Sequence, residues 1–309
     1  MVKISVVVTV YNVEQYIERC LLSVIKQSFK EYELIIVDDK TPDNSMEIVG
    51  RYAMKDSRIK IVTNEVNCGL MWARKVGFEN AIGKYVVFLD SDDTLEDNAL
   101  ETLFNAIENS DSDVLSGNIV YRRLDGTETV WKSELKYGTD SESVYKSLLK
   151  NEYRHNLCSH IIKRSLLTDY KYKFYKNFTH GEDYCLFYQI VKNAKRIEHI
   201  DVPVYNYFQT MGSSTQVSLP DRSVETTFIA YSIGYENMQQ YSNYKKLAYS
   251  QNQHMIARLR YKNHVTKGQI YKMSKEFLPN DIISIGSILR CNSLIESIKL
   301  ILAIFFSCK

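Results

Sequence analysis

Lys84-Tyr85-Val86-Val87-Phe88-Leu89-Asp90-Ser91-Asp92-Asp93 is the stretch that decides the fold. An unbroken apolar, β-branched and aromatic run ends in three carboxylates. Such a run fits a strand buried on both faces of a parallel sheet. In open α/β sheets, ligands bind outside the carboxyl ends of the strands. Like charges crowded there are unfavourable unless a cation neutralises them. The stretch therefore reads as a divalent-metal site, with Asp90 and Asp92 as ligands, holding something that carries phosphates. Two plainer readings stand beside it. Leu100, Leu103, Phe104 and Ile107 recur at helical spacing and predict a helix over 95–109. Asp93, Glu96 and Asp97 would then be first-turn charges favoured by the helix dipole. The spacing of Asp90, Asp92, Thr94 and Glu101 also matches a calcium loop, but Leu95 stands where that loop needs glycine.

Outward from this strand, the first 120 residues alternate strand and helix. Strands are predicted at 4–10, 34–37, 59–62, 85–89 and 114–121. Between them, Val13, Ile17, Leu21, Val24 and Ile25 trace one helical stripe, and helices are predicted near 45–55 and at 70–81. This rhythm implies an α/β fold with a mostly parallel central sheet and helices on both faces. The rhythm then breaks. Asp125-Gly126 is a hairpin turn signal, a helix is predicted over 182–194 and a strand over 202–208. Residues 211–221 read as a polar loop, and the chain from about Arg222 onward as a helical, polar extension.

The 309 residues allow one large α/β domain with an appendage. Charge is unevenly spread: from Lys245 to the end the balance is +8, and in the remainder −6. A basic C-terminal part suits a polyanion or an anionic membrane surface. The apolar run 300–306 is far short of the roughly 20 residues that span a bilayer. The helix over 294–306 is either an interfacial anchor or a terminal helix packed on the core, and both readings stay open. No two of Cys20, Cys68, Cys158, Cys185, Cys291 and Cys308 form a CxxC pair, which argues against a zinc framework. Cys20 falls on the buried stripe beside Leu21, as a reduced core cysteine of a cytoplasmic protein would. Met1-Val2-Lys3-Ile4 runs straight into a strand, so no leader is predicted.

Two further groups fall on the predicted sheet edge. Val37-Asp38-Asp39 ends the second strand, and a carboxylate there can accept from the imide N–H of a uracil. Thr9, Tyr11 and Asn12 follow the first strand and complete a base pocket, with Tyr11 stacking on the ring. Thr41-Pro42-Asp43 is a turn, so one of the two aspartates is expected to serve it. Asn67-Cys68-Gly69 precedes the third helix, where Gly69 allows close backbone approach. Arg74, one turn in, can reach a phosphate or pair with the aspartates. Lys75 reads as part of a solvated helix face. His160 and His180 are read either as contacts of the metal or acceptor or as structural histidines.

Taken together, these residues resemble family 2 glycosyltransferases of the GT-A fold. The family pattern has a strand ending in Tyr-Asn, a Val-Asp-Asp strand end with an Asp-bearing turn, an Asn-x-Gly-x-x-x-Ala-Arg stretch and a Leu-Asp-x-Asp-Asp strand end. Here these are Val10-Tyr11-Asn12, Val37-Asp38-Asp39 with Asp43, Asn67-Cys68-Gly69 with Ala73-Arg74, and Leu89-Asp90-Ser91-Asp92-Asp93. A looser match continues to His180-Gly181-Glu182-Asp183 and fades after about residue 215. The chain departs from the pattern at Thr9, Lys40 and Lys75, where proline, glycine and asparagine are usual. Phe208 lies near the place where relatives carry an arginine.

The resemblance implies a glycosyltransferase domain over 1–215, with a nucleotide-binding half at 1–120 and an acceptor-binding half at 121–215, followed by the basic helical extension 216–309. It implies a nucleotide-sugar donor, most often UDP-linked, and a glycan or lipid-linked saccharide acceptor in cell-surface polysaccharide synthesis. Thr9, Tyr11, Asn12, Asp38, Asp39, Asn67, Gly69, Arg74, Asp90 and Ser91 would bind the donor. Asp90 and Asp92 would hold Mn²⁺ or Mg²⁺. Asp183 would act as general base, with Glu182 as runner-up, and in-line attack would invert the anomeric centre. The bland reading of that pair is helix capping. The enzyme would work in the cytoplasm, with a peripheral contact on the inner membrane face if the terminal helix is an anchor. Nucleic acid is not an expected partner. A sugar-nucleotide pyrophosphorylase would need a glycine-rich loop after the first strand, where Val10-Tyr11-Asn12-Val13 stands instead. A non-catalytic nucleotide-sugar binder is the other alternative.

Overall fold

Five strands begin the fold, the first four built on the runs the sequence shows. They are β1 (Ile4–Val10), β2 (Tyr32–Asp38), β3 (Ile59–Thr63), β4 (Tyr85–Asp90) and the short β5 (Thr94–Leu95). Helices α1 (Ile17–Ile25), α2 (Ser45–Ala53), α3 (Leu70–Glu79) and α4 (Ala99–Ser110) separate or follow them. The chain continues through β6 (Val114–Arg122), β7 (Glu128–Trp131), α5 (Ser141–Leu149), β8 (His160–Lys163), α6 (Arg164–Thr168), α7 (Glu182–Asn193), β9 (Ile197–Phe208) and α8 (Asp221–Met238). The computed structural model describes residues 1–210, 221–238 and 240–241. The predicted loop over 211–220 and the terminal segment over 294–306 lie outside the described residues, as does the basic part from Lys245. Among the described residues no helix is long and apolar enough to cross a membrane.

The strands form one mixed sheet in the order β3-β2-β1-β4-β8-β6-β9-β5, with β7 paired to β6. The first four run parallel. β8 enters antiparallel between β4 and β6, and β9 lies parallel to β6. The step from β1 to β2 to β3 goes one way across the sheet, and the step from β3 to β4 returns over β2 and β1. Right-handed crossovers then put α3 on the face opposite α1 and α2. The packing is tight: a Cβ on Gly77 of α3 would stand 2.2 Å from Val7 Cγ1 and 3.3 Å from Val37 Cγ2. Glycine at this position lets α3 sit directly on β1 and β2.

Two expectations change. The helix predicted over 95–109 begins only at Ala99, because Thr94 and Leu95 pair with Asn206 and Tyr205 of β9. Asp93 is not a first-turn surface charge: it is 1% exposed and receives hydrogen bonds from the Tyr205 hydroxyl and, at 2.7 Å, from Phe208 N. The strand predicted at 114–121 forms as β6, and the four-residue β8 lies between it and β4. The Asp125-Gly126 turn forms as predicted, joining β6 to β7 with Gly126 at φ 83°.

The chain divides into two compact units, one of Met1–Phe178 with Asn193–Ser213 and one of Thr179–Lys192 with Ser214–Lys309. The whole sheet belongs to the first. Within the second, α7 buries Tyr184, which stacks on Tyr188 at 3.9 Å and on Tyr231 of α8 at 4.5 Å between ring centroids.

Candidate active site

The register of the parallel strands brings the predicted residues to one edge. Thr9 of β1 lies beside Asp90 of β4, and Val10 beside Asp38 of β2. The ends of three adjacent strands thus carry the nucleotide and metal candidates in a row.

At the β2 end the two aspartates divide the work. Asp38 Oδ1 accepts from Thr41 N at 2.9 Å and serves the turn. Asp39 is buried, and its carboxylate accepts from Asn64 Nδ2 at 2.8 Å, Cys68 N at 2.9 Å and Gly69 N at 2.8 Å. It therefore clamps the 64–69 loop to the end of β2. Gly69 has φ 85°, and a Cβ there would stand 3.2 Å from Asn177 Cα. Asn67 is exposed beside this clamp. Lys40, the residue found in place of glycine, adopts φ 60°, a conformation that costs a residue with a Cβ roughly 1–2 kcal/mol.

The turn after β2 holds the Tyr11-Asn12 segment. Asn12 N donates to Thr41 Oγ1 at 2.7 Å and Glu14 N to Asp43 Oδ2 at 2.8 Å. Burial works against ionisation of Asp43, but hydrogen bonds from the Ser45 and Thr41 hydroxyls and from backbone N–H groups outweigh it and hold its pKa at about 2. Asn12 has φ 57°, and Tyr11 is 48% exposed at the strand end, with its ring turned out of the core.

At the β4 end, Arg74 is 2% exposed and donates from Nη2 to Asp90 Oδ1 at 2.7 Å and to Cys158 Sγ at 3.7 Å. It pairs with the aspartate, one of the two roles expected of it. Lys75 pairs with Glu79 one turn on, a helix-face contact as expected. Ser91 is buried beside Asp90. Burial and then the charge of Asp90 push the Asp92 carboxyl up to about 6. Burial pushes Asp93 well above the carboxylate range, with Asp92 and Asp90 adding to the effect. Cys20 Sγ lies 3.7 Å from Asp90 O, and burial followed by the three aspartates raises its thiol well above the ordinary value. Arg19 was not singled out from the sequence, yet it donates to Asp92 O and lies 3.6 Å from the Phe208 ring centroid. A lone arginine on a polar helix face gives no signal of such a reach.

Among the described residues no three His, Cys, Asp or Glu side chains converge as a metal cage. Sites that bind a hard divalent cation together with substrate phosphates need only one or two carboxylates. Asp92, crowded by Asp90 and hard to ionise without a counter-charge, fits that kind of site. His160 is a core residue, its Nε2 3.0 Å from the Tyr153 hydroxyl. His180 N donates to Thr226 Oγ1 at 3.2 Å within the second unit, where Glu182 and Asp183 open α7.

Comparison with known proteins agrees with this architecture. Residues 1–349 of S. aureus TarS, crystallised with UDP-GlcNAc, superpose with a TM-score of 0.75 at 22% identity, over 99% of this chain and 88% of that one. Glycosyltransferase GlyA of Streptococcus pneumoniae is 29% identical over 79% of this chain, which spans only 37% of GlyA. The Escherichia coli UDP-Glc:alpha-D-GlcNAc-diphosphoundecaprenol beta-1,3-glucosyltransferase WfgD is 31% identical over 62% of this chain and 70% of its own length. The model of "Glycosyl transferase family 2" matches residues 5–170, which contain the groups described above at the ends of β1, β2 and β4, and the chain belongs to that family.

Proposed function

We propose that this protein is an inverting, metal-dependent glycosyltransferase that moves a sugar from a UDP-linked donor to a hydroxyl of a glycan or lipid-linked saccharide. The observation that carries the reading is the row formed by the ends of β2, β1 and β4. It sets a buried aspartate clamp, a projecting tyrosine and a crowded carboxylate pair side by side. Two similarities support the donor and acceptor classes: TarS is seen with UDP-GlcNAc, and WfgD is named for a UDP-glucose donor and a diphospholipid-linked acceptor. The setting proposed is cell-surface polysaccharide synthesis from the cytoplasmic side.

In this reading Tyr11 stacks on the uracil, and Asp39, already holding the 64–69 loop, accepts from the imide N–H. Arg74 fixes the Asp90 carboxylate. Asp92, with Asp90, would hold Mn²⁺ or Mg²⁺, which when bound stabilises the leaving diphosphate as a Lewis acid. The acceptor oxygen bonds to the anomeric carbon as the bond to the diphosphate oxygen breaks. The hydroxyl proton passes to Asp183, or to Glu182 as runner-up, both in the first turn of α7. Attack opposite the leaving group inverts the centre.

The test is a donor panel: hydrolysis and transfer from nucleotide sugars with Mn²⁺, with Mg²⁺ and with chelator, the anomeric product read by NMR. Turnover of a UDP-sugar that needs the cation is expected. Tight UDP binding without turnover on any acceptor would make the protein a binder, and a product of retained configuration would remove the single-displacement step.

A further inference from the structure

The ring cluster at the ends of β6, β7 and β9 has no part in the donor site. Tyr121 stacks on Trp131 at 4.6 Å and on Tyr207 at 5.1 Å, with interplanar angles of 17° and 12°. Two guanidiniums lie against these rings: Arg154 is 4.7 Å from the Trp131 centroid and Arg123 is 5.1 Å from that of Tyr121. Arg58, Arg74, Arg122 and Arg196 each pair with a carboxylate. Arg123 and Arg154 form no ion pair among the described residues; Arg123 instead donates to the Thr127 and Thr129 hydroxyls. Burial lowers the Arg154 pKa, and no anion offsets it. A partly buried cation without a counter-charge is costly, and an anionic ligand would relieve it. A guanidinium over an aromatic ring can still offer its N–H donors to a phosphate.

The cluster is placed to serve the strand-end site. Val87 of β4, Ile161 of β8 and Leu115 of β6 lie at one level of the sheet. Asp90 lies three residues beyond that level and Tyr121 six, so the Tyr121 backbone lies about 10 Å farther along the strand direction at roughly 3.3 Å per residue. Tyr205 and Tyr207 share a face of β9, and Tyr205 reaches Asp93. The loop that carries Arg154 runs on to Cys158, which Arg74 touches.

We propose that Trp131, Tyr121 and Arg154 form the acceptor subsite, and that its ligand is a saccharide linked through a diphosphate. The sugar packs against the rings and the diphosphate lies on Arg154. This rests on the glycosyltransferase reading for its biological role, but binding tests it separately. A neutral glycan would leave the Arg154 charge unanswered, which is why the anionic linkage is the one chosen.

The experiment is calorimetric titration of the full chain with decyl diphosphate–N-acetylglucosamine and with the neutral decyl glycoside of the same sugar. The parent is expected to prefer the diphosphate. Arg154→Gln should weaken binding of the diphosphate form by about tenfold or more and remove the preference, as loss of a charged hydrogen bond does. Arg154→Lys should restore part of it, and Trp131→Leu should weaken both ligands. Thermal melting by circular dichroism establishes that each variant is folded. A parent with no preference for the diphosphate, or an Arg154→Gln variant with unchanged affinity, overturns the proposal. A parent that binds the probe but transfers no sugar from any donor defeats the transferase reading and leaves the subsite standing.

Discussion

Replacing Asp39 with asparagine exchanges one oxygen for an NH₂ group, and the structure says what that exchange costs. Oδ1 accepts from Asn64 Nδ2 and Cys68 N, and Oδ2 from Gly69 N, all within 2.9 Å in a buried setting. An amide has one acceptor. In its better orientation it keeps the Asn64 and Cys68 bonds and turns its NH₂ on the Gly69 N–H, donor against donor. Losing one charge-assisted bond costs roughly 1.5–3 kcal/mol, and the other two lose their ionic part. The total is about 3 kcal/mol, a melting temperature lower by roughly 6–12 °C at 2–4 °C per kcal/mol. Asp38→Asn, which disturbs a single bond to Thr41 N, should cost under about 1 kcal/mol. The assays are thermal melting and UDP titration on both variants. Asp39→Asn is expected to melt low and bind UDP weakly. Melting within a degree of the parent would refute the clamp, and parent-like UDP affinity in a variant that melts low would refute the uracil contact while keeping the clamp.

Asp92→Ala removes a carboxylate crowded by Asp90, so stability should hold or rise while cation-stimulated UDP binding disappears; retained stimulation would take Asp92 out of the metal site. Asp183→Asn should lower turnover by roughly 10²–10⁴ with donor affinity nearly unchanged, and Glu182→Gln serves as control: if only the latter loses turnover, the two roles exchange. Gly77→Val drives side-chain atoms into Val7 and Val37 and should cost about 1–3 kcal/mol in urea denaturation; a parent-like midpoint would show that α3 does not sit so close. His160 is buried and its pKa falls from 6.5 to about 3, with burial the main cause. The unfolded chain therefore takes up a proton that the native state refuses, and stability should fall as pH drops below about 6.5, by about 1.4 kcal/mol per unit. His160→Gln should flatten this slope between pH 6.5 and 5, and an equally steep variant would place the titration elsewhere.

The parallel half of the sheet was legible because each of its signals is local. Apolar runs announce buried strands, and the residues that follow them, Tyr11, Asp38 and Asp90, must fall on one edge once the strands are parallel. What the sequence did not disclose depends on partners far along the chain. β8 is four residues long and gains its identity only by pairing with β4 and β6. Leu95 falls within the helix predicted over 95–109, but it and Thr94 are drawn into a strand by β9, more than a hundred residues away. Asp93 looked like one of three equivalent acids until Tyr205 and Phe208 buried it. The Asp39 clamp could not be read either, since its partners are backbone N–H groups, which every residue but proline possesses.

The thiol beneath the β4 end carries a different consequence. Cys20 is fully buried, lies against Asp90 O and is surrounded by carboxylates that oppose its ionisation. Alkylating reagents attack thiolates, so this sulfur is silent while the strand end is closed and reacts at the rate of an ordinary cysteine once the end opens. Its labelling rate, followed residue by residue through mass spectrometry, is then a clock for local opening. A nucleotide that fastens the β4 end should slow that clock by the same factor with which it stabilises the closed state, giving a reading of ligand engagement that needs neither turnover nor a known acceptor.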